Sequence, residues 1–185
     1  WALADRGPTK ETVAVIELAR QPFGVQERVL WTLLTHWPVR RACLDASGLG
    51  MQLAERAGER FGVWRAEPVT FTQAAKEALA VGLKTALEDR GVRIPVERPI
   101  RESLHSLKRY QTATGNFRFD ADRSETTGHA DAAWALALAL QAASVPYTPL
   151  DADLVALGGS VARPGRPRRE SDRGPILAGL LDRRF

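Results

Sequence analysis

One cysteine, Cys43, is all that this chain of 185 residues contains. An intrachain disulfide and a zinc site built from several cysteines are therefore excluded, and the default setting is a reducing compartment. Long hydrophobic runs are also missing. The most apolar stretch, residues 132–140, is too short to span a bilayer, and nothing near the start has the basic, apolar and small-residue order of a signal peptide. The expected location is cytoplasmic, with no membrane partner. The chain has no GxxxxGK[ST] loop for nucleotide phosphates, and Gly48, Leu49 and Gly50 are too short a turn for a dinucleotide fingerprint. Ser47 has no nucleophile elbow around it, and no internal repeat is present.

The composition allows one globular domain plus a tail, since 44% of the residues are apolar. The 26 basic side chains exceed the 22 acidic ones by only four, so the charge alone argues weakly for an anionic partner.

Residues 1–4 read as the end of a strand, residues 5–8 as a turn, and residues 12–18, TVAVIEL, as a second strand. A short polar turn between two strands implies an antiparallel pair. A helix opens at Gln21 and Pro22, carries Val25, Val29, Leu30, Leu33 and Leu34 on one face, and ends before Pro38. Strand, helix, strand, helix then follow over residues 39–44, 49–60, 68–71 and 73–89, with Thr72 placed to cap the last helix. Such alternation predicts parallel strands joined by crossover helices, and with the antiparallel start it gives a mixed sheet. After a break at residues 91–95 come a short helix over residues 100–106 and a β-hairpin around Thr114, Gly115 and Asn116. Lys108, Arg109 and Arg118 are expected on its exposed face. A helix over residues 130–143 is apolar on nearly every side and must be buried. From residue 146 onward Pro, Gly and Arg dissolve the pattern, so the expected division is a domain over 1–145 and a flexible tail over 146–185.

Asp45 ends an apolar strand and opens a small-residue turn, the place in helix-flanked sheets where loops diverge and ligands collect. A lone Asp there is more often a turn or cap residue. Asp131 starts the buried helix, where a carboxylate also suits the helix dipole. Together, two carboxylates at the rim of one sheet can share a divalent cation with phosphate oxygens. His129, two residues earlier in GHAD, is a candidate for proton transfer or phosphate contact, although a loop histidine is more often simply exposed. Lys76 lies in the first turn of its helix, where the dipole disfavours a cation. An anionic ligand or Glu77 would relieve that misfit, and the ligand reading makes Lys76 a nucleic-acid contact beside Lys108, Arg109 and Arg118.

Four stretches, RRACLDASGLGMQLAE, EPVTFTQAAKEALAVGLKTALEDRGVRIP, TATGNFRFDADR and GHADAAWALALAL, resemble the C-terminal nuclease domain of bacteriophage terminase large subunits. The likeness is greatest to the Mu-like phage and prophage group, and it covers residues 1–143 in order. The resemblance implies a ribonuclease H-like α/β fold, a mixed sheet flanked by helices. It also implies an endodeoxyribonuclease that cuts concatemeric double-stranded phage DNA during packaging with Mg²⁺ or Mn²⁺. Its further implied partners are the portal and the small terminase subunit. Asp45 matches the acid after the family's fourth strand, and Asp131 matches the acid of its last helix. The family's first acid lies on a central first strand, which would precede the apolar segment at Trp1. Asp5 falls in the turn after that segment and does not match. The expectation is thus a fragment lacking its central strand and an upstream ATPase domain, with catalysis by this piece alone in question. Rival readings are a non-catalytic packaging or docking module, a decayed prophage remnant, and another ribonuclease H-like nuclease such as a resolvase.

Overall fold

A computed structural model describes residues 1–111, 117–121 and 130–144. The expected tail over 146–185 lies outside the described residues, as do the hairpin tip and His129.

Strand β1 (Ala2–Arg6) turns at Gly7, whose φ of +82° suits a residue without a Cβ, and Pro8 into antiparallel β2 (Thr9–Ala14). The second strand was expected over residues 12–18. It starts earlier because the tight turn pairs Arg6 with Thr9 at once, and it ends earlier because β1 supplies no partner beyond Ala14. Lys10 keeps its place in the polar half of the hairpin through an ion pair with Asp5 at 2.9 Å. The break expected at residues 91–95 contains a third strand, β5 (Val92–Arg93), parallel to β2. Two residues are too few to show any period. The Thr12 hydroxyl secures this corner, accepting from Trp1 Nε1 and donating to the Arg93 carbonyl, both at 2.9 Å.

Helix α1 (Phe23–His36) begins after Pro22 and ends where Trp37, preceding Pro38, goes extended. Strand β3 (Ala42–Asp45) and strand β4 (Ala66–Val69) are parallel, with Ala42 opposite Ala66 and Asp45 opposite Val69. A 3-10 turn over Gly48–Gly50 and helix α2 (Met51–Phe61) cross between them. Ala54, Ala57 and Gly58 form the buried side of α2, and such small side chains let the helix lie close on β4. Gly62, at φ +84°, stops it.

Helix α3 (Gln73–Glu88) is capped as expected, the Thr72 hydroxyl accepting from the Ala75 N–H at 3.1 Å. Helix α4 (Arg98–Ser106) leads into the hairpin of β6 (Leu107–Gln111) and β7 (Phe117–Ala121), and α5 (Asp131–Ser144) closes the fold. The α5 helix packs on α3, α4, β1 and β3. Its Leu136 is fully buried, a contribution of about 1.5–3 kcal/mol for such a side chain. The main core joins Leu79, Leu83, Val92, Trp134 and Leu136. A second, smaller core holds Leu34, Ala57 and Ala66 under Trp31 and Phe61.

Hydrogen bonding divides the strands into three groups, β1-β2-β5, β3-β4 and β6-β7. Among the described residues, β1 and β3 each have one edge unpaired, and α5 lies against both. The architecture is the expected mixed α/β arrangement flanked by helices. No helix among the described residues is long and apolar enough to cross a membrane.

Candidate metal centre

Strand alternation sets the aim of Asp45. Ala42 and Leu44 pack into the smaller core beneath α1 and α2, while Cys43 packs into the main core with α5. Successive side chains leave a strand on opposite faces, so Asp45 continues the Cys43 face, toward the α5 side. It is exposed, at the carboxyl end of β3. Its Oδ1 accepts from the Ser47 N–H at 2.8 Å, an Asx turn. Ser47 in turn accepts the Phe71 N–H on its hydroxyl at 2.8 Å, tying the end of β3 to the residues after β4.

Asp131 is the first residue of α5 and is also exposed. Ala130 before it is buried with φ +58°, and the Ala133 N–H, left without an intrahelical acceptor at the start of α5, donates to the buried Ser103 hydroxyl at 3.1 Å. Trp134, three residues into α5 from Asp131, meets Phe71 with ring centroids 5.3 Å apart. The links Asp45 to Ser47, Ser47 to Phe71 and Phe71 to Trp134 connect the carboxyl end of β3, by way of the residues after β4, to the first turn of α5, which Asp131 opens.

Two exposed carboxylates offer hard oxygen donors, which suit Mg²⁺: that ion commonly takes one or two carboxylates and completes its shell with water and phosphate oxygens. Among the described residues no group of three or more His, Cys, Asp and Glu gathers around one point. The two acids by themselves thus do not make a closed cage.

Cys43, behind Asp45, is inert by its surroundings. It donates to Glu67 Oε2 at 3.5 Å, and Glu67 is ion-paired with Arg41. Burial first, and then the Glu67 charge, push the thiol up to about 12. It stays a neutral thiol at physiological pH, unsuited to nucleophilic attack or thiolate ligation.

Lys76 has an anion near it within the fold itself: Asp120 of β7 stands 3.9 Å away, and the Lys76 ammonium lies 5.8 Å from the centre of the Trp134 ring. The carbonyl of Phe117 accepts from Gln73 Nε2 at 2.7 Å, so the first turn of α3 holds the hairpin at two points. The expectation that Lys108, Arg109 and Arg118 share one face is corrected by register. Lys108 pairs with Asp120 and Arg118 with Tyr110, whereas Arg109 pairs with Phe119 on the opposite face and lies 4.3 Å from the centre of the Phe117 ring. All three are exposed. Asp120 and Ser103 escaped the sequence reading. Asp120 could have been suspected, as the only acid in an otherwise basic and aromatic strand.

A family profile described as the Terminase RNaseH-like domain matches residues 11–143. The solved large terminase nuclease from thermophilic phage G20c with bound magnesium is 25% identical at a TM-score of 0.54, over 65% of this chain and 62% of that one. The same nuclease with bound cobalt gives 25% identity and a TM-score of 0.53 over the same shares. This chain thus spans less than two thirds of the solved nuclease. No curated protein sequence matches.

Proposed function

The chain belongs to the family of terminase ribonuclease H-like nuclease domains, and from that premise we propose that it is the cutting module of a bacteriophage packaging motor. It is read as a Mg²⁺- or Mn²⁺-dependent endodeoxyribonuclease acting on concatemeric double-stranded DNA in the cytoplasm of the bacterial host. Its other partners would be the portal and the small terminase subunit. One observation carries the reading: Asp45, at the end of β3, and Asp131, 86 positions later at the start of α5, are both exposed carboxylates on elements that pack together. The metal-bound forms of the similar G20c nuclease support a divalent cation there.

In this reading Asp45 and Asp131 hold the cation, which supplies charge stabilisation for the phosphate oxygens and an acidified water. The Asx turn keeps one Asp45 oxygen occupied and fixes the other's direction. Lys108 and Arg118 on one hairpin face and Arg109 on the other meet phosphates without reading sequence, so base preference is weak. His129, beside Asp131 in sequence, is the candidate for moving a proton.

The test uses supercoiled plasmid, Mn²⁺ and the protein as the whole gene encodes it. Cleavage lost in Asp45→Asn and in Asp131→Asn is the expected result; variants that cut as well as the parent would overturn the assignment. A second reading, a docking module without catalysis, draws on the lack of a three-ligand cluster among the described residues. It predicts no Mn²⁺-dependent cutting and no paramagnetic broadening at Asp45 and Asp131.

A further inference from the structure

Leu49 has no role in the fold. Its side chain is 98% exposed, the most open leucine described, and Met51 beside it is 50% exposed. An isolated surface leucine needs no explanation, but this one stands on a turn whose geometry is determined on both sides. Gly48 before it is at φ +53°, and Gly50 after it leaves no room for a Cβ, which would fall 2.3 Å from the Asp45 carbonyl oxygen. The turn is closed by the Gly50 N–H donating to the Ser47 carbonyl at 3.0 Å, and Ser47 is anchored to Asp45 and Phe71. The leucine is therefore displayed rigidly, four residues after one acid of the site.

From this placement we infer that Leu49, with Met51 behind it, is a wedge that enters the minor groove of duplex DNA beside the phosphate to be cut. The inference rests on the reading of the chain as a duplex-DNA nuclease. A leucine can make no hydrogen bond to a phosphate, so what it offers a duplex is contact with the sugar walls and pressure between base steps. Apolar side chains that press into the minor groove partly unstack a step and bend the duplex toward the major groove. The bend turns the neighbouring backbone outward, toward the two carboxylates. Flexible pyrimidine–purine steps yield most easily, so the wedge would give a preference for step flexibility without any base contact. Leu49 is thus a positioning residue, acting on the DNA's shape.

The experiment measures binding of the 185-residue chain to an alternating TA duplex carrying 2-aminopurine in place of one adenine, without divalent metal. Binding is followed by anisotropy and unstacking by 2-aminopurine fluorescence. Parent protein should bind with a rise in fluorescence. Leu49→Ser should bind about five-fold more weakly, with no fluorescence rise and with the salt dependence of binding unchanged, since no phosphate contact is lost. Leu49→Met should restore the fluorescence rise, and thermal melting should coincide for all three proteins. If Leu49→Ser matches the parent in affinity and fluorescence, the wedge is refuted while the nuclease reading stands. A lowered melting temperature in Leu49→Ser would refute it as well, by showing a structural role. If the parent itself does not bind the duplex, the nuclease reading and the wedge fall together.

Discussion

Gly50 lies directly against the backbone carbonyl of Asp45: a Cβ placed on Gly50 would stand 2.3 Å from that oxygen. Backbone cannot yield as a flexible side chain can, so Gly50→Ala must push the turn away from the end of β3. The expected cost is about 1–3 kcal/mol, with the amide resonances of Asp45 and Ser47 displaced most. Gly24, around which nothing lies within 4 Å, provides the control. Gly24→Ala in α1 should leave Asp45 unmoved, and chemical denaturation with amide spectra would separate the two.

Cys43 makes stability fall at alkaline pH. In the unfolded chain its thiol ionises near the ordinary value of 9.0, whereas in the fold burial and Glu67 hold the proton until about 12. Between those values the unfolded chain gives up a proton that the folded chain keeps, so this contribution is fully present below pH 9 and is lost as pH rises toward 12. Urea unfolding at pH 8 and pH 10.5 should show the drop, and Cys43→Ala should lessen it. The same burial predicts slow thiol labelling at pH 8 until the chain is unfolded.

The Lys76 to Asp120 contact joins the hairpin to α3 but is partly exposed and long, at 3.9 Å. Its loss should therefore cost less than about 1 kcal/mol. Asp120→Asn is expected to raise hydrogen exchange in β6 and β7 with little change in global melting temperature. Lys76→Gln should do the same and, on the proposed function, should also lower the salt slope of duplex binding by about one. A salt slope unaltered by Lys76→Gln would confine Lys76 to the hairpin contact.

Ser103 places one buried hydroxyl under the first turn of α5. Ser103→Ala leaves the Ala133 N–H without that acceptor, at a cost of about 1–3 kcal/mol. The expected signs are a lower melting temperature and faster exchange at Ala133. Ser103→Thr, which keeps the hydroxyl, is expected to lose less if the added methyl is accommodated.

The helices were legible because each repeats its apolar residues over several turns: Leu79 and Leu83 mark the buried stripe of α3, and Thr72 its start. The acids were legible as positions at element ends, Asp45 closing a strand and Asp131 opening a helix. Hidden from sequence were features made by pairing. Val92 and Arg93 become a strand only because β2 offers an edge, and the polar Thr9, Lys10 and Glu11 join β2 because the Gly7 turn fixes the register. Arg109 parts from its neighbour Lys108 by strand alternation alone, but Arg118 joins the Lys108 face only when cross-strand partners are known. Ser103 is one more polar residue on α4 until α5 folds over it.

Ala130 is buried and left-handed immediately before Asp131. A residue with a Cβ holds that conformation at a cost of about 1–2 kcal/mol, so the bend into α5 is an imposed one. The direction in which Asp131 leaves the helix start follows from two torsion angles at its neighbour. A change there would re-aim the acid without altering any atom of the carboxylate, which makes Ala130 the hinge pin on which the Asp131 side chain is hung.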